Sequence, residues 1–277
     1  MITLPSYRTV RAARLAILLL GVAALAQAAD PVPPAPATAT APVAAAASST
    51  TSPAASPDAG LPASFWAARA DRYSVEWGSI SLGEGTISLK SKGDGCYDYE
   101  STTDPIAVVR WTYGAPHESS EFCVQDHLVR PRRFAYANDK RSDDNFSLDF
   151  DPRTQRAKMI RGGNVVEIKV PDPAYDRFSI REAVRLWAAE NADQIGAEKD
   201  FAFVDEDKLR NYRFAIQARE TVQTPAGSFE TLRVARIDNP KKSYRYWLAP
   251  SRNFVPVKIE HINKGKVELR MALLGSK

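Results

Sequence analysis

The chain has 277 residues, of which 44% are hydrophobic and 25% are charged, and its formal net charge is +4. This length and composition can support a sizeable hydrophobic core, which excludes a wholly disordered protein. Three of the positive charges, Arg8, Arg11 and Arg14, belong to an N-terminal leader without acidic residues, so the remaining chain has a charge of 4 − 3 = +1. This small charge argues against a nucleic-acid partner.

Residues 1–28 have the pattern of a secretory signal peptide. The three arginines precede an apolar run from Leu15 to Leu25, and Ala26-Gln27-Ala28 fits an A-x-A cleavage site. The apolar run is shorter than the ~20 residues that cross a bilayer. We therefore predict export to the periplasm, with no membrane span after signal cleavage.

Residues 29–60 are rich in Pro, Ala, Ser and Thr and contain almost no large apolar side chains. Such a segment buries too little surface to offset the entropy of ordering, so we predict a disordered spacer. Residues 61–277 are predicted to form a single β-rich domain. Its two cysteines, Cys96 and Cys123, are expected to form a disulfide in an oxidising compartment. The alternative, a redox or metal pair, lacks the C-x-x-C spacing.

Most of this region alternates between apolar and polar residues, as half-buried strands do. Tyr73, Val75 and Trp77 show the alternation first, and residues 158–160 and 165–170 form a predicted hairpin around Gly162-Gly163-Asn164. Residues 106–113 are ambiguous between strand and helix, and we favour a short helical crossover.

One amphipathic helix is predicted to begin at Ser179. Ser179 and Glu182 have the spacing of a capping box, and Ile180, Val184 and Trp187 share one helical face. A single helix among many strands is expected to cover an exposed sheet face or to plug the end of a half-closed barrel.

The pattern of the last third of the chain predicts an antiparallel meander. Pro225-Ala226-Gly227 predicts a tight hairpin in which Gly227 supplies a positive φ. Pro256 lacks an N–H group and therefore predicts either an edge strand or a bulge. Together these patterns predict a mostly β fold, a curved antiparallel meander or half-open barrel with one covering amphipathic helix.

Many aromatic side chains lie on strand positions that point to a common interior. They are expected either to fill it as an ordinary core or to line a cavity for an apolar ligand. The candidate ligand-lining residues are Tyr73, Trp77, Tyr97, Tyr99, Tyr136, Phe146, Phe150, Trp187, Tyr212, Phe214 and His261.

The sequence predicts no catalytic, cofactor-binding or metal-binding residues. The three histidines have no metal-ligand spacing, and there is no G-x-S-x-G elbow or Gly-rich phosphate loop. An acidic cluster lacks the regular spacing of ligands in a calcium-binding loop, and its side chains are expected to be exposed to solvent. Its members are Asp143, Asp144, Asp149 and Asp151.

Several motifs resemble the domain of unknown function 3108 family, which comprises exported bacterial envelope proteins. The more specific ones are Thr224-Pro225-Ala226-Gly227-Ser228-Phe229-Glu230-Thr231, Trp247-Leu248-Ala249-Pro250 and Val255-Pro256-Val257. The resemblance covers about residues 72 to 274. It implies a periplasmic β-rich domain and supplies no established activity.

Three hypotheses follow for function. The first is a non-enzymatic periplasmic module that binds a lipid or another apolar or amphipathic envelope component. The second is a structural or interaction module that docks an envelope protein through a strand edge near Pro256. The third is an envelope glycan or lipid hydrolase that uses His261 or the acidic cluster, which requires two of those side chains within hydrogen-bond reach.

Overall fold

The computed structural model describes residues 61–276, in which fourteen antiparallel strands form one sheet. The first eight strands are β1 (Arg69–Trp77), β2 (Ile80–Gly93), β3 (Cys96–Pro105), β4 (His117–Gln125), β5 (Leu128–Ala137), β6 (Phe146–Asp151), β7 (Arg156–Arg161) and β8 (Asn164–Lys169). The remaining six are β9 (Glu198–Asp205), β10 (Lys208–Thr224), β11 (Gly227–Arg236), β12 (Lys242–Ala249), β13 (Val255–Asn263) and β14 (Lys266–Ser276). The predicted signal peptide and spacer lie outside the described residues.

The sheet is a meander with one long-range pairing. Neighbouring strands follow chain order from β8 back to β1 and from β14 back to β9, and β1 pairs with β14 to join the two runs. Strands β8 and β9 are therefore the two edges. The predicted mostly β, antiparallel meander is confirmed.

The two edges approach each other without pairing directly. Between them, Tyr175 donates its backbone N–H to Ala202 O of β9, and Val204 N–H donates back to Tyr175 O, both at 2.8 Å. At the end of β7, Arg161 forms an ion pair of 2.9 Å with Glu206, which follows β9. The sheet therefore curls into the half-open barrel that the sequence predicted.

Two α-helices accompany the strands in the described part of the chain, α1 (Ala107–Tyr113) and α2 (Ser179–Glu190). Helix α1 joins β3 to β4 and confirms the predicted short crossover. Helix α2 has nine buried residues out of twelve, including Glu182 and Arg185. It lies against strands from both halves of the sheet, because Glu182 reaches Arg69 of β1 while Trp187 packs on Phe201 of β9.

The predicted capping box at the start of α2 is wrong. Glu182 turns to Arg69 and Arg185 instead of the helix terminus. The carboxylate of Asp176 caps the helix, since its Oδ1 accepts the backbone N–H groups of Phe178 and Ser179 at 2.8 and 3.0 Å. Burial raises the pKa of Asp176, and these hydrogen bonds act in the opposite direction.

Three local predictions have clear outcomes. Cys96 and Cys123 face each other across β3 and β4 and form the predicted disulfide. Gly227 has the positive φ expected of its turn.

Pro256 lies in β13, which is paired with β12 and with β14, and the pairing with β12 skips Val257. The bulge is therefore correct, and the predicted docking edge near Pro256 is wrong because the open edges are β8 and β9.

Candidate ligand site at the rim of the barrel

A cavity opens at one end of the barrel, which we call the rim. The rim contains the turns β1–β2, β9–β10 and β13–β14, together with the connections β3–β4 and β11–β12. The cavity has a volume of about 270 Å³. It is lined by Arg177, Phe203, Asp205, Tyr212, Arg236, Lys242, Tyr244, His261 and Asn263.

A narrower space of about 60 Å³ shares four of these side chains, namely Arg177, Phe203, Tyr212 and Tyr244. It is bounded by the first turn of α2. Its further lining residues are Glu118, Phe178, Ile180, Arg181, Phe214 and Tyr246. The site therefore has an outer part at the rim and an inner part beside the helix.

Strand alternation builds the aromatic wall. On β10, Tyr212 and Phe214 point inward, whereas Arg213 between them is exposed and forms a salt bridge of 2.8 Å with Asp200. Strand β12 repeats the pattern with Tyr244 and Tyr246. The rings of Tyr244 and Tyr246 stack with centroids 6.4 Å apart. The wall is thus a consequence of period-two patterns on β10 and β12, which lie on either side of β11 in the sheet.

Two arginines at the cavity have carboxylate partners. Arg177 lies 3.4 Å from Glu118 and 3.6 Å from Glu206. Arg236 pairs with Asp238 at 2.6 Å and places its guanidinium 3.4 Å from the ring centroid of Tyr212. These cations are therefore neutralised by the protein itself.

Arg181 differs from these two arginines. Among the described residues no carboxylate lies within 4.0 Å of its guanidinium, which covers the ring of Phe178 at 4.7 Å. The side chain is half-buried and lines the inner part of the cavity. Burial raises the pKa of the neighbouring Tyr246 phenol, and Arg181 acts against that rise. Desolvation disfavours the charge of Arg181, but Glu118 on the same inner wall is among the groups that act against it, and the pKa of Arg181 is raised overall. The cavity therefore contains a charged guanidinium that makes no direct ion pair.

His261 closes the outer part of the cavity. Its ring stacks on Tyr244 with centroids 4.8 Å apart, and its Nδ1 lies 3.5 Å from a carboxylate oxygen of Glu268. Desolvation lowers the pKa of His261, and Glu268 opposes this effect. The imidazole is therefore mainly neutral at neutral pH.

Three of the predicted ligand-lining residues reach the cavity: Tyr212, Phe214 and His261. Two others stand close by, since Tyr136 and Phe146 lie under Arg177, with ring centroids 6.0 and 5.3 Å from its guanidinium carbon.

The other predicted lining residues lie elsewhere. Tyr73 is buried and donates its hydroxyl to Pro256 O at 2.7 Å, Tyr99 packs edge-on against Phe178, and Trp187 packs on Phe201. Trp77 is half-buried at the end of β1. Tyr97 joins an aromatic cluster with Trp66 and Phe122. Phe150 borders a crevice of about 20 Å³ at the other end of the barrel.

Several cavity residues were not predicted from the sequence. Tyr244 and Tyr246 show the same alternation as Tyr212 and Phe214, so the sequence pattern could have identified them as inward-facing residues. Arg177, two residues before α2, and Arg181, in its first turn, gave no such signal. The sequence does not show which polar side chains at the start of a buried helix face a cavity.

The side chains proposed for a hydrolase have other partners. Asp149 lies 3.6 Å from Arg133. Asp151 accepts hydrogen bonds from Thr154 and from the backbone N–H of Arg153, and these bonds lower its pKa. Within residues 61–276 no group of three or more His, Cys, Asp or Glu side chains is placed to hold a metal ion.

Fold and site together define the class: an antiparallel half-open β-barrel with a buried helix and a cavity of aromatic and cationic side chains at its rim. The chain belongs to the family described as "Protein of unknown function (DUF3108)", which matches residues 72–272. None of the helices in the described region is long and apolar enough to span a bilayer.

Solved structures that are similar to this chain include two proteins of bacterial origin. The beta-barrel-like protein of domain of unknown function DUF1849 from Brucella abortus shares 10% identity and a TM-score of 0.48, over 76% of this chain and 97% of that chain. A protein with a YmcC-like fold from Bacteroides fragilis shares 14% identity and a TM-score of 0.30, over 76% and 94% of the two chains. Among curated proteins, none matches the chain.

Proposed function

We propose that this protein binds an amphipathic, anionic component of the cell envelope in the rim cavity, and that it does so in the periplasm without catalysing a reaction. The anionic group of the ligand would contact Arg181, and its apolar part would lie along the aromatic wall. The observation that supports this proposal most directly is that the guanidinium of Arg181 lines the cavity with no described carboxylate within 4.0 Å.

The charge of Arg181 favours an anionic ligand for a physical reason. The guanidinium of Arg181 has lost part of its hydration, and Glu118 favours its charged form from a distance without forming an ion pair with it. A bound phosphate or carboxylate restores the missing partner through charge-assisted hydrogen bonds, which are stronger than neutral ones. Lys242 at the outer wall adds a second cation, and no described carboxylate lies within 4.0 Å of it.

The aromatic wall favours an apolar or flat group beside the anion. Phe203 and Tyr212 stack at 4.5 Å, and Phe214 and Tyr246 continue the wall inward with ring centroids 6.1 Å apart. Small-molecule sites commonly combine such apolar walls with a few polar groups that fix orientation. An amphipathic molecule matches both parts of the cavity.

Native mass spectrometry of the protein isolated from exported material, without detergent, tests this proposal. We expect a bound mass in the wild type that organic extraction releases. Arg181→Gln should lose it, while Arg213→Gln should retain it, because Arg213 lies on the outer face of β10. Absence of any bound mass, or equal retention by both variants, would overturn the proposal.

A further inference from the structure

We propose that the rim docks onto the surface of an anionic lipid bilayer, with helix α1 and the β1–β2 turn at the headgroup level. This inference concerns a surface outside the cavity and does not depend on the ligand proposed above. It is based on an apolar patch, on a cluster of lysines, and on their positions next to each other.

The apolar patch is formed by α1 and the neighbouring hairpin. Helix α1 has no buried residue, and the exposed fractions of Trp111 and Val108 are 78% and 62%. Ile106, just before the helix, and Ile80, just after the β1–β2 turn, are also exposed. Ile106 N–H donates to Leu82 O at 2.9 Å, which keeps the hairpin beside the helix.

The exposure does not result from a loosely attached helix. The side-chain amide of Asn138 donates to Tyr113 O at 2.9 Å, and the guanidinium of Arg141 lies 4.9 Å from the ring centroid of Tyr113. The C-terminal end of α1 is therefore tied to the β5–β6 connection. Trp111 and Val108 are held at the surface by a fixed element.

The lysine cluster lies on the other side of the β1–β2 turn. Its members, Lys241, Lys242, Lys264 and Lys266, are all exposed, and no described carboxylate lies within 4.0 Å of their ammonium groups. Gly265 N–H donates to Lys241 O at 3.2 Å, which joins the β11–β12 and β13–β14 connections. The β1–β2 turn adjoins them, because Gly78 N–H donates to Glu268 O at 3.0 Å.

The rim thus presents the four lysines, the β1–β2 turn with the exposed Ile80 beside it, and a Trp-bearing helix in one continuous arc. Tryptophan prefers the headgroup level of a bilayer, and lysines near a membrane surface attract anionic lipids. Three of the four other exposed large apolar side chains also lie at this end, and Ile195 lies at the opposite end. Val165 and Val166 follow the β7–β8 turn, which antiparallel pairing places at the rim, and Leu209 follows the β9–β10 turn. A bilayer fits this combination better than a protein partner, because strongly exposed apolar side chains lie beside exposed lysines, as on surfaces that bind at the headgroup level.

Cosedimentation with large unilamellar vesicles tests the inference. We expect the full chain to bind vesicles containing equal parts of phosphatidylcholine and phosphatidylglycerol, and to bind pure phosphatidylcholine much more weakly. Trp111→Ala should lower the partition coefficient about tenfold. Replacing Lys241 and Lys266 together by Gln should lower it by about fivefold for each lysine. Added salt should weaken the binding.

Matched variants control for general effects of surface change. Ile195→Ser removes a similarly exposed aliphatic side chain from the opposite end and should leave binding unchanged, whereas Val108→Ser should weaken it. Lys169→Gln serves as the control for the lysines, because Lys169 ends β8 on that opposite end. All variants keep the same N-terminal segment, so any binding by residues 1–60 is common to them.

Equal partitioning of Trp111→Ala and wild type, or equal binding to neutral and anionic vesicles, would overturn the inference. Specific capture of a protein in place of lipid would also contradict it. Trp111, Lys241 and Lys266 do not line the cavity, so their variants should keep the bound mass that native mass spectrometry detects. Failure of this inference is therefore distinguishable from failure of the proposed cavity ligand.

Discussion

At the scale of single residues, the core of the barrel contains a charged pair that the fold fully encloses. Arg185 is inaccessible to solvent and lies 2.7 Å from Glu182, which also accepts a hydrogen bond of 2.8 Å from Arg69. Burial lowers the pKa of Arg185 to about 10. Desolvation opposes ionisation of Glu182, but Arg185 and Arg69 outweigh it and lower the pKa of this carboxyl. Both groups are therefore charged at neutral pH.

Removing Glu182 should strongly destabilise the protein. Glu182→Ala leaves the buried Arg185 without a carboxylate and leaves Arg69 with Asp71 alone, which we expect to cost about 3–5 kcal/mol of unfolding free energy. Glu190→Ala removes a partly exposed carboxylate from the same helix and should cost less than about 1 kcal/mol. Equilibrium urea unfolding measures both. Similar midpoints for the two variants would show that the buried pair does not stabilise α2 in the barrel.

His261 should make stability depend on pH. Its pKa is lowered in the folded state by desolvation, with Lys242 acting in the same direction and Glu268 against it. Between the folded and unfolded pKa values the unfolded chain binds more protons, so unfolding free energy falls as pH falls through this range. From about pH 7.5 to about pH 5, the wild type should lose more stability than His261→Gln. Parallel pH profiles in urea unfolding would contradict this account.

At the scale of secondary-structure elements, the disulfide joins β3 and β4 and encloses the connection that contains α1. The sequence separation of its cysteines is 27. In the chain-entropy model a loop of this size stabilises the protein by about 3–4 kcal/mol. Cys96→Ser with Cys123→Ser should therefore lower the unfolding free energy by that amount. The comparison is urea unfolding of oxidised and reduced wild type beside the double variant; an unchanged midpoint would contradict the prediction.

Strand patterns were predictable from the sequence because alternation requires only one buried face. The order of Tyr212, Arg213 and Phe214 shows this, and the bulge at Pro256 follows from its missing N–H. The cap of α2 was not predictable in the same way. Ser179 and Glu182 have the local spacing of a capping box. In the folded protein, however, the carboxylate of Glu182 binds Arg69 and Arg185 in the core and does not reach the end of the helix.

At the scale of the whole molecule, the curl of the sheet decides what the cavity contains. Phe203, Tyr212 and Tyr244 come from three different strands, and Arg181 comes from the helix inside them. Sequence alternation indicates that such side chains point inward, but it does not show which of them meet. For this reason three of the eleven predicted lining residues, Tyr212, Phe214 and His261, border the cavity, while Tyr73, Tyr99 and Trp187 pack in the core.

The most direct test of the proposed function is calorimetric titration of the protein with octyl phosphate, a small amphipathic anion, beside uncharged octyl glucoside. Binding of octyl phosphate to a single site is expected, with octyl glucoside much weaker. Arg181→Gln should weaken octyl phosphate binding about tenfold or more, because it removes a charge-assisted contact. Arg213→Gln should bind as the wild type does. Equal affinities of wild type and Arg181→Gln for octyl phosphate would contradict an anion site in the rim cavity.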